Sequence, residues 1–180
     1  MCIRDRIEVS VSHTTRPQRP GEEDGKNYFF VSETTFLSLR ENGAFFEWAE
    51  VFGHHYGTGI AQLEARLAQG ADVVLEIDWQ GAQQVRESMP ECISVFILPP
   101  SQKALKERLF SRDTDTKEII AQRLNEAYED MTHWNEFDYC IINDNFETAA
   151  AELEAIFNDE GAISLTDNPA LIKKINKILM

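Results

Sequence analysis

Two arginines three residues apart, each followed by a proline, stand in the segment Ser12-His13-Thr14-Thr15-Arg16-Pro17-Gln18-Arg19-Pro20-Gly21. Proline stiffens the backbone behind each guanidinium, and the planar fork of N–H donors on arginine matches the oxygens of a phosphate. The segment therefore reads either as a phosphate grip or as two solvated loop arginines. Tyr28 and Tyr56 could give phenolic donors to the same phosphate, or serve as amphipathic packing residues.

A second kind of chemistry is carried by Glu47 and Asp78. The pairing edge of guanine shows two donors, N1–H and the 2-amino group, which a carboxylate can accept. Adenine presents an acceptor at N1, and a buried carboxylate facing it would stay unpaired at a cost of about 1–3 kcal/mol or more. Glu47 taken alone is as readily a surface acid on a strand. Asp78 closes the apolar run Val73-Val74-Leu75-Glu76-Ile77, at the kind of strand end where ligands settle in open α/β sheets. Further along, Arg108, Arg112 and Arg123 flank the polar stretch Phe110–Thr116, which reads as a closing lid. Arginines that arrive with a lid neutralise charge during phosphoryl transfer. Arg123 reads equally as a helix-surface residue three places before Glu126.

The elements that must position these groups follow from local patterning. Ile7–Ser12 alternates like a strand and breaks at His13 into the proline-rich loop. Tyr28–Val31 predicts a short aromatic strand, then Ser32 caps a helix that Gly43 stops. Phe45, Phe46, Trp48 and Val51 predict strand structure ahead of a polar turn at Gly53-His54-His55, and Thr58 or Gly59 caps a helix ending at Gly70. Val73–Asp78 is expected to be a strand buried on both faces. Ile93–Leu98 repeats that pattern, with Pro99-Pro100-Ser101 capping a helix through Leu109. A long helix over Asp115–Thr132, a strand at Tyr139–Ile142, an Asn145-capped helix through Phe157 and a short helix at Ala170–Met180 complete the chain. Strands alternating with helices mean α/β with a parallel sheet, which would gather Asp78, Pro99-Pro100 and Asn143-Asp144 round one crevice. The strand-rich block from Tyr28 to Tyr56 interrupts that rhythm and reads as an inserted lobe.

Composition narrows the partners. The chain has 180 residues, 43% of them hydrophobic and 27% charged, enough for one domain with a real core. A formal net charge of -14 argues against nucleic-acid and anionic-membrane partners, so a phosphate ligand needs a local basic pocket. No stretch has the length and apolarity of a membrane span and the first residues lack a signal-peptide core, which points to cytoplasm. Cys2, Cys92 and Cys140 have no metal or disulfide spacing and read as reduced thiols.

Several of these segments together resemble one family. Ser10-Val11-Ser12-His13-Thr14-Thr15-Arg16-Pro17-Gln18-Arg19-Pro20-Gly21-Glu22 with Gly25-Lys26-Asn27-Tyr28 looks like the signature loop of guanylate kinases. The similarity continues through Glu47-Trp48-Ala49-Glu50-Val51, Tyr56-Gly57-Thr58, Glu76-Ile77-Asp78-Trp79-Gln80-Gly81-Ala82, Phe96-Ile97-Leu98-Pro99-Pro100-Ser101 and Ile141-Ile142-Asn143-Asp144, in order, from about Ile7 to Phe157. Motifs in register are far more specific than any single one.

The resemblance implies ATP-dependent phosphorylation of GMP. By position it implies that Arg16, Arg19, Tyr28 and Tyr56 hold the GMP phosphate, and that Ser12, Glu47, Thr58 and Asp78 contact guanine or order the residues that do. Arg108, Arg112 and Arg123 match lid arginines facing the ATP phosphates, Asn143 matches a residue beside the adenine, and Arg16 joins the lid arginines as catalytic. ATP is the implied donor, with Mg²⁺ bridging its phosphates rather than sitting in a protein cage. The implied fold is α/β, a P-loop NTPase-like parallel sheet core with an inserted mixed β/α GMP-binding lobe and a helical lid. It forms a single domain over residues 1–180, with core at about 7–27, 72–106 and 124–158, lobe at about 28–71, lid at about 107–123 and tail at 159–180.

The pattern also breaks. The family's GxxxxGK[ST] loop, which cradles the ATP phosphates, has no counterpart in these 180 residues, and Met1–Arg6 does not resemble the family. The expectation is a truncated chain that binds GMP weakly and catalyses poorly or not at all. Gly59, Asp113 and Asn145 stand where Ser, Gly and Asp are usual. The alternatives are a non-catalytic guanylate-kinase-like module that binds phosphopeptides, which has no need of Glu47 and Asp78, and another nucleoside-monophosphate kinase, which the carboxylate pair disfavours.

Overall fold

The computed structural model describes residues 6–110 and 117–180, with side chains at 6–108 and 124–180. The chain divides into two compact units, one running to Cys92 and one from Ile93 to Met180.

In chain order the first unit holds β1 (Ile7–Val9), β2 (His13–Thr14), β3 (Phe29–Phe30), α1 (Glu33–Glu41), β4 (Phe45–Val51), β5 (His54–Gly59), α2 (Ile60–Leu67), β6 (Asp72–Val74) and α3 (Trp79–Ser88). β1 and β6 pair in parallel, with Ile7 opposite Asp72 and Val9 opposite Val74. The other strands form a mixed sheet in the order β3-β2-β5-β4, in which β2 runs parallel to β3 and antiparallel to β5. Local chemistry starts and stops these elements as expected. Ser32 Oγ accepts from the Thr35 N–H at 3.2 Å to open α1, and Gly43 at φ 65° follows its end.

Three expectations are corrected. The loop expected from His13 begins with two residues of strand, because β5 offers His13 and Thr14 partners in Gly57 and Tyr56. The turn expected at Gly53-His54-His55 lies one residue earlier. Phe52 and Gly53, at φ 51° and 74°, are consecutive left-handed residues of the kind that close a tight hairpin, and both histidines join β5. The run Val73–Asp78 stays laddered only to Val74 and is half-buried there, since among the described residues β6 pairs with β1 alone. Asp78 is not a strand end but the N-cap of α3.

The second unit holds β7 (Val95–Leu98), α4 (Gln102–Phe110), α5 (Lys117–Asp130), a 3₁₀ turn at Met131–Glu136, β8 (Tyr139–Ile142), α6 (Phe146–Phe157), a 3₁₀ turn at Gly161–Ser164 and α7 (Pro169–Leu179). β7 and β8 are parallel, Val95 opposite Tyr139 and Leu98 opposite Ile142, with helices making the crossover. Ser101 Oγ accepts from the Ala104 N–H at 3.0 Å and Asn145 Oδ1 from the Thr148 N–H at 3.0 Å, so both predicted caps form. The amphipathic C-terminal helix α7 closes the core. Its Leu171, Ile175 and Ile178 pack with Leu98, Met131, Trp134 and Cys140, and Ile175 is fully buried. Ile175→Ala is therefore expected to cost about 2–5 kcal/mol, read as a lower urea midpoint. Burial also pushes the Cys140 thiol up to about 12, which leaves it a packing group. Among the described residues no helix is long and apolar enough to cross a membrane.

Candidate functional site

The residues from Val11 to Arg16 alternate between partly exposed and buried, and the buried set is polar: Ser12, Thr14 and Arg16. A period of two places all three on one face. Burying a polar group is tolerated only when its hydrogen bonds are met, and here they are. Thr14, with no exposed surface, accepts the Arg16 N–H on its hydroxyl at 3.1 Å, which aims the chain leaving β2. Thr15 holds β5 from the next position, its Oγ1 accepting the His55 N–H at 2.9 Å.

Arg16 is buried although charged. Its Nη1 donates to the Pro17 carbonyl at 2.7 Å and its Nη2 to Glu22 Oε1 at 2.8 Å. The guanidinium carbon lies 5.4 Å from the Tyr28 ring centre and 5.8 Å from that of Phe30, within cation–π range. Burial pulls the Arg16 pKa down, but the hydrogen bond and charge of Glu22 outweigh it and the net direction is up. Glu22 binds the loop from both oxygens, since its Oε2 accepts the Arg19 N–H at 2.7 Å. The Arg16 guanidinium holds that carboxyl below the usual carboxylate range. The Arg19 side chain is exposed. Tyr28 and Tyr56 meet edge to face, 6.0 Å between centres, and Tyr56 adds to the effect of Glu22 in raising the Arg16 pKa. Burial, then the neighbouring Tyr56, raises the Tyr28 pKa, so its phenol remains an O–H donor.

Two residues along β5 from Tyr56 comes Thr58, on the same face and about 6.6 Å away at the strand rise. Thr58 hydrogen-bonds Ser12 across the sheet, Oγ to Oγ1 at 3.3 Å, and stands opposite Glu47 of β4. Glu47 is 3% exposed. Burial raises its pKa most, the charge of Asp78 adds to this, and hydrogen bonds from the Thr58 hydroxyl and backbone oppose both. Asp78 accepts from the Gly81 N–H on Oδ1 and from Gln80 Nε2 on Oδ2, each at 2.9 Å. Gln84, farther along α3, pairs with both backbone groups of Trp48: Oε1 accepts its N–H at 3.1 Å and Nε2 donates to its carbonyl at 2.7 Å.

All eight residues expected around a nucleoside monophosphate thus lie in the first unit, in two clusters joined by β2 and β5. One is cationic and phenolic, suited to a phosphate. The other sets the buried Glu47 carboxylate and the half-buried Asp78 carboxylate among hydroxyls, suited to a base edge rich in donors. The sequence reading gives no role to Glu22, Gln80 and Gly81, which stand in its motifs, and does not single out Gln84; the six-residue interval from Arg16 to Glu22 across a Pro/Gly turn is the available signal for the first. In the second unit Arg108 Nη2 donates to the Asn143 carbonyl at 2.8 Å, and the Asn143 N–H to the Leu98 carbonyl at 2.7 Å. Arg112 lies outside the described residues, and Arg123 is a position on α5 whose side chain does as well. Among the described residues no three of His, Cys, Asp or Glu stand together as a metal site.

Comparison with known proteins gives one answer. The family model for guanylate kinase matches residues 3–160. A guanylate kinase of Legionella pneumophila (strain Lens) is 56% identical over 150 residues, 83% of this chain and 72% of the relative. One of Alkalilimnicola ehrlichii is 51% identical over 173 residues, 96% of this chain and 85% of the relative. The crystal structure of guanylate kinase from Anaplasma phagocytophilum superimposes with a TM-score of 0.76 at 35% identity, covering 97% of this chain and 86% of that one.

Proposed function

The chain belongs to the guanylate kinase family, whose reaction moves a phosphoryl group from ATP to GMP, and on that premise we propose how its residues divide the work. Arg16, Arg19, Tyr28 and Tyr56 hold the GMP phosphate, the arginines as charge-matched forks and the phenols as neutral donors. Ser12, Glu47, Thr58 and Asp78 read the guanine, with Glu47 and Asp78 accepting from N1–H and the 2-amino group. A phosphate oxygen of GMP attacks the γ-phosphorus of ATP in line, and the bond to the ADP oxygen breaks. The protein's contribution is positioning and charge neutralisation. Arg108, Arg112 and Arg123 serve the donor phosphates as charge shifts, Arg16 holds the acceptor, and Asn143 lies beside the adenine. Mg²⁺ arriving with ATP would supply neutralisation of the phosphate charge, as expected of an ion that keeps most of its waters. The protein works in the cytoplasm.

The observation that supports this reading best is Glu47, a carboxylate 3% exposed beside a second one. A buried acid beside a second, half-buried one is costly unless a ligand brings donors to it. Calorimetry tests the acceptor half by itself, without calling on the ATP phosphates. GMP is expected to bind and AMP not to bind over the same concentrations; equal affinity for the two would end the guanine assignment. The relatives named above are kinases by name, and nothing in the geometry favours a phosphopeptide in place of a nucleotide.

A further inference from the structure

The two carboxylates of the base cluster meet at one residue. The Gly81 N–H donates to Asp78 Oδ1 at 2.9 Å, while Glu47 Oε2 lies 2.5 Å from the point where a Cβ on Gly81 would stand. Ile77 Cβ is 3.3 Å from that same point. Gly81 is in the first turn of α3 and does not have a left-handed φ, so its backbone has no need of glycine. Alanine is the better helix former there. What glycine supplies is the space that the Glu47 carboxylate fills.

The surroundings decide what would yield if that space were taken. One turn on, the Gln84 amide grips both backbone groups of Trp48, the neighbour of Glu47, so β4 is fixed against α3. The shortest contact at Gly81, by contrast, is with the far end of a flexible side chain, and Ile77 Cβ, at 3.3 Å, would have to give by only a few tenths of an ångström. A methyl group would displace the carboxylate and leave helix and strand where they are, and Asp78 would keep its bond to the Gly81 N–H. We propose that Gly81 is a positioning residue for base selectivity: its N–H sets one guanine-reading carboxylate and its missing side chain sets the other, so that a single residue fixes their spacing. This rests on the assignment of Glu47 and Asp78 to guanine.

The test is calorimetry with GMP, IMP, which lacks the 2-amino group, and AMP on the parent chain, Gly81→Ala, Glu47→Gln, Glu47→Asp and the double variant Gly81→Ala/Glu47→Asp. Gly81→Ala is expected to keep its circular dichroism and melting midpoint, to bind GMP at least about tenfold more weakly, and to discriminate less between GMP and IMP. Shortening Glu47 by one methylene should weaken the parent yet restore part of the loss in Gly81→Ala, a coupling that generalised loosening would not produce. Unchanged GMP affinity in Gly81→Ala, alongside a loss in Glu47→Gln, overturns this inference alone. An unfolded Gly81→Ala overturns it too, because the room would then belong to the fold, and so does an absence of coupling in the double variant. If Glu47→Gln itself binds GMP as the parent does, the carboxylate assignment fails and the inference falls with it.

Discussion

Arg16→Ala is expected to weaken GMP binding by about 10²- to 10³-fold, roughly 3–4 kcal/mol, while leaving the affinity for guanosine within about twofold. The size follows from where the guanidinium sits. It is buried, ringed by Tyr28 and Phe30, and aligned by bonds to Pro17 and Glu22 before any ligand arrives. A preorganised donor contributes more than a mobile one because little side-chain freedom remains to be lost on binding. Truncation removes the paired donors to phosphate and also leaves Glu22 facing the same space as an unneutralised carboxylate, so the variant repels the anion that the parent attracts. Arg16→Lys should recover only part of the loss, since an ammonium cannot serve Pro17, Glu22 and a phosphate with the same fork. Calorimetry with GMP and guanosine separates the outcomes. An equal loss for both ligands would mean that the loop had collapsed, and no loss for GMP would remove Arg16 from the phosphate grip.

Glu47→Gln is expected to weaken GMP by about 10²-fold and to reduce its advantage over AMP, because the amide that replaces the carboxylate presents a donor where guanine also presents one. The variant should also change how the protein answers to pH, and the sign can be worked out. Burial first, and the charge of Asp78 after it, raise the Glu47 pKa, so the folded chain holds this proton more tightly than the unfolded chain does. Stability from this group is therefore present in acid and is lost as pH rises from the ordinary glutamate value through the raised one. GMP affinity runs the opposite way over the same window, since guanine requires the ionised form. The parent should thus trade fold stability for GMP affinity as pH rises there, and Glu47→Gln should lose this group's share of both slopes, keeping those that come from the GMP phosphate and from other side chains. A denaturant series with parallel GMP titrations from pH 4 upward on both proteins reads the difference in slopes; a parent whose GMP affinity follows the same pH profile as Glu47→Gln would show that Glu47 does not meet the base as a carboxylate.

Much of this protein is local, and what is local was legible. Ser32, Ser101 and Asn145 open helices because each hydroxyl or amide reaches an N–H three residues on, a relation contained within four residues of sequence. Tyr139–Ile142 was recognised as a strand from its apolar run, and its ladder has the same bounds. The arginine loop and the carboxylates stood out by residue type, and the family by several motifs in order.

Other features depend on partners far away in the chain. Ser12, Thr14 and Arg16 form a buried face that hydropathy reads as loop, because the residues pointing inward are the polar ones and their burial is made possible by partners such as Thr58, 46 positions on. The hairpin at Phe52-Gly53 places a phenylalanine at φ 51°, against its own preference, because pairing β4 with β5 along six residue pairs outweighs the local strain. Asp78 could be named as an acid from sequence but not as the cap of α3, and Gly81 could not be read as space for Glu47, 34 positions earlier, until sheet and helix were brought together. Residue types, helix starts and family were determined by the sequence itself, since they rest on short-range propensity and on motifs in order. Which polar groups could be buried, and how far apart the two carboxylates stand, was decided only by tertiary structure, because the cost of burying a polar atom depends on the distant atom that meets it.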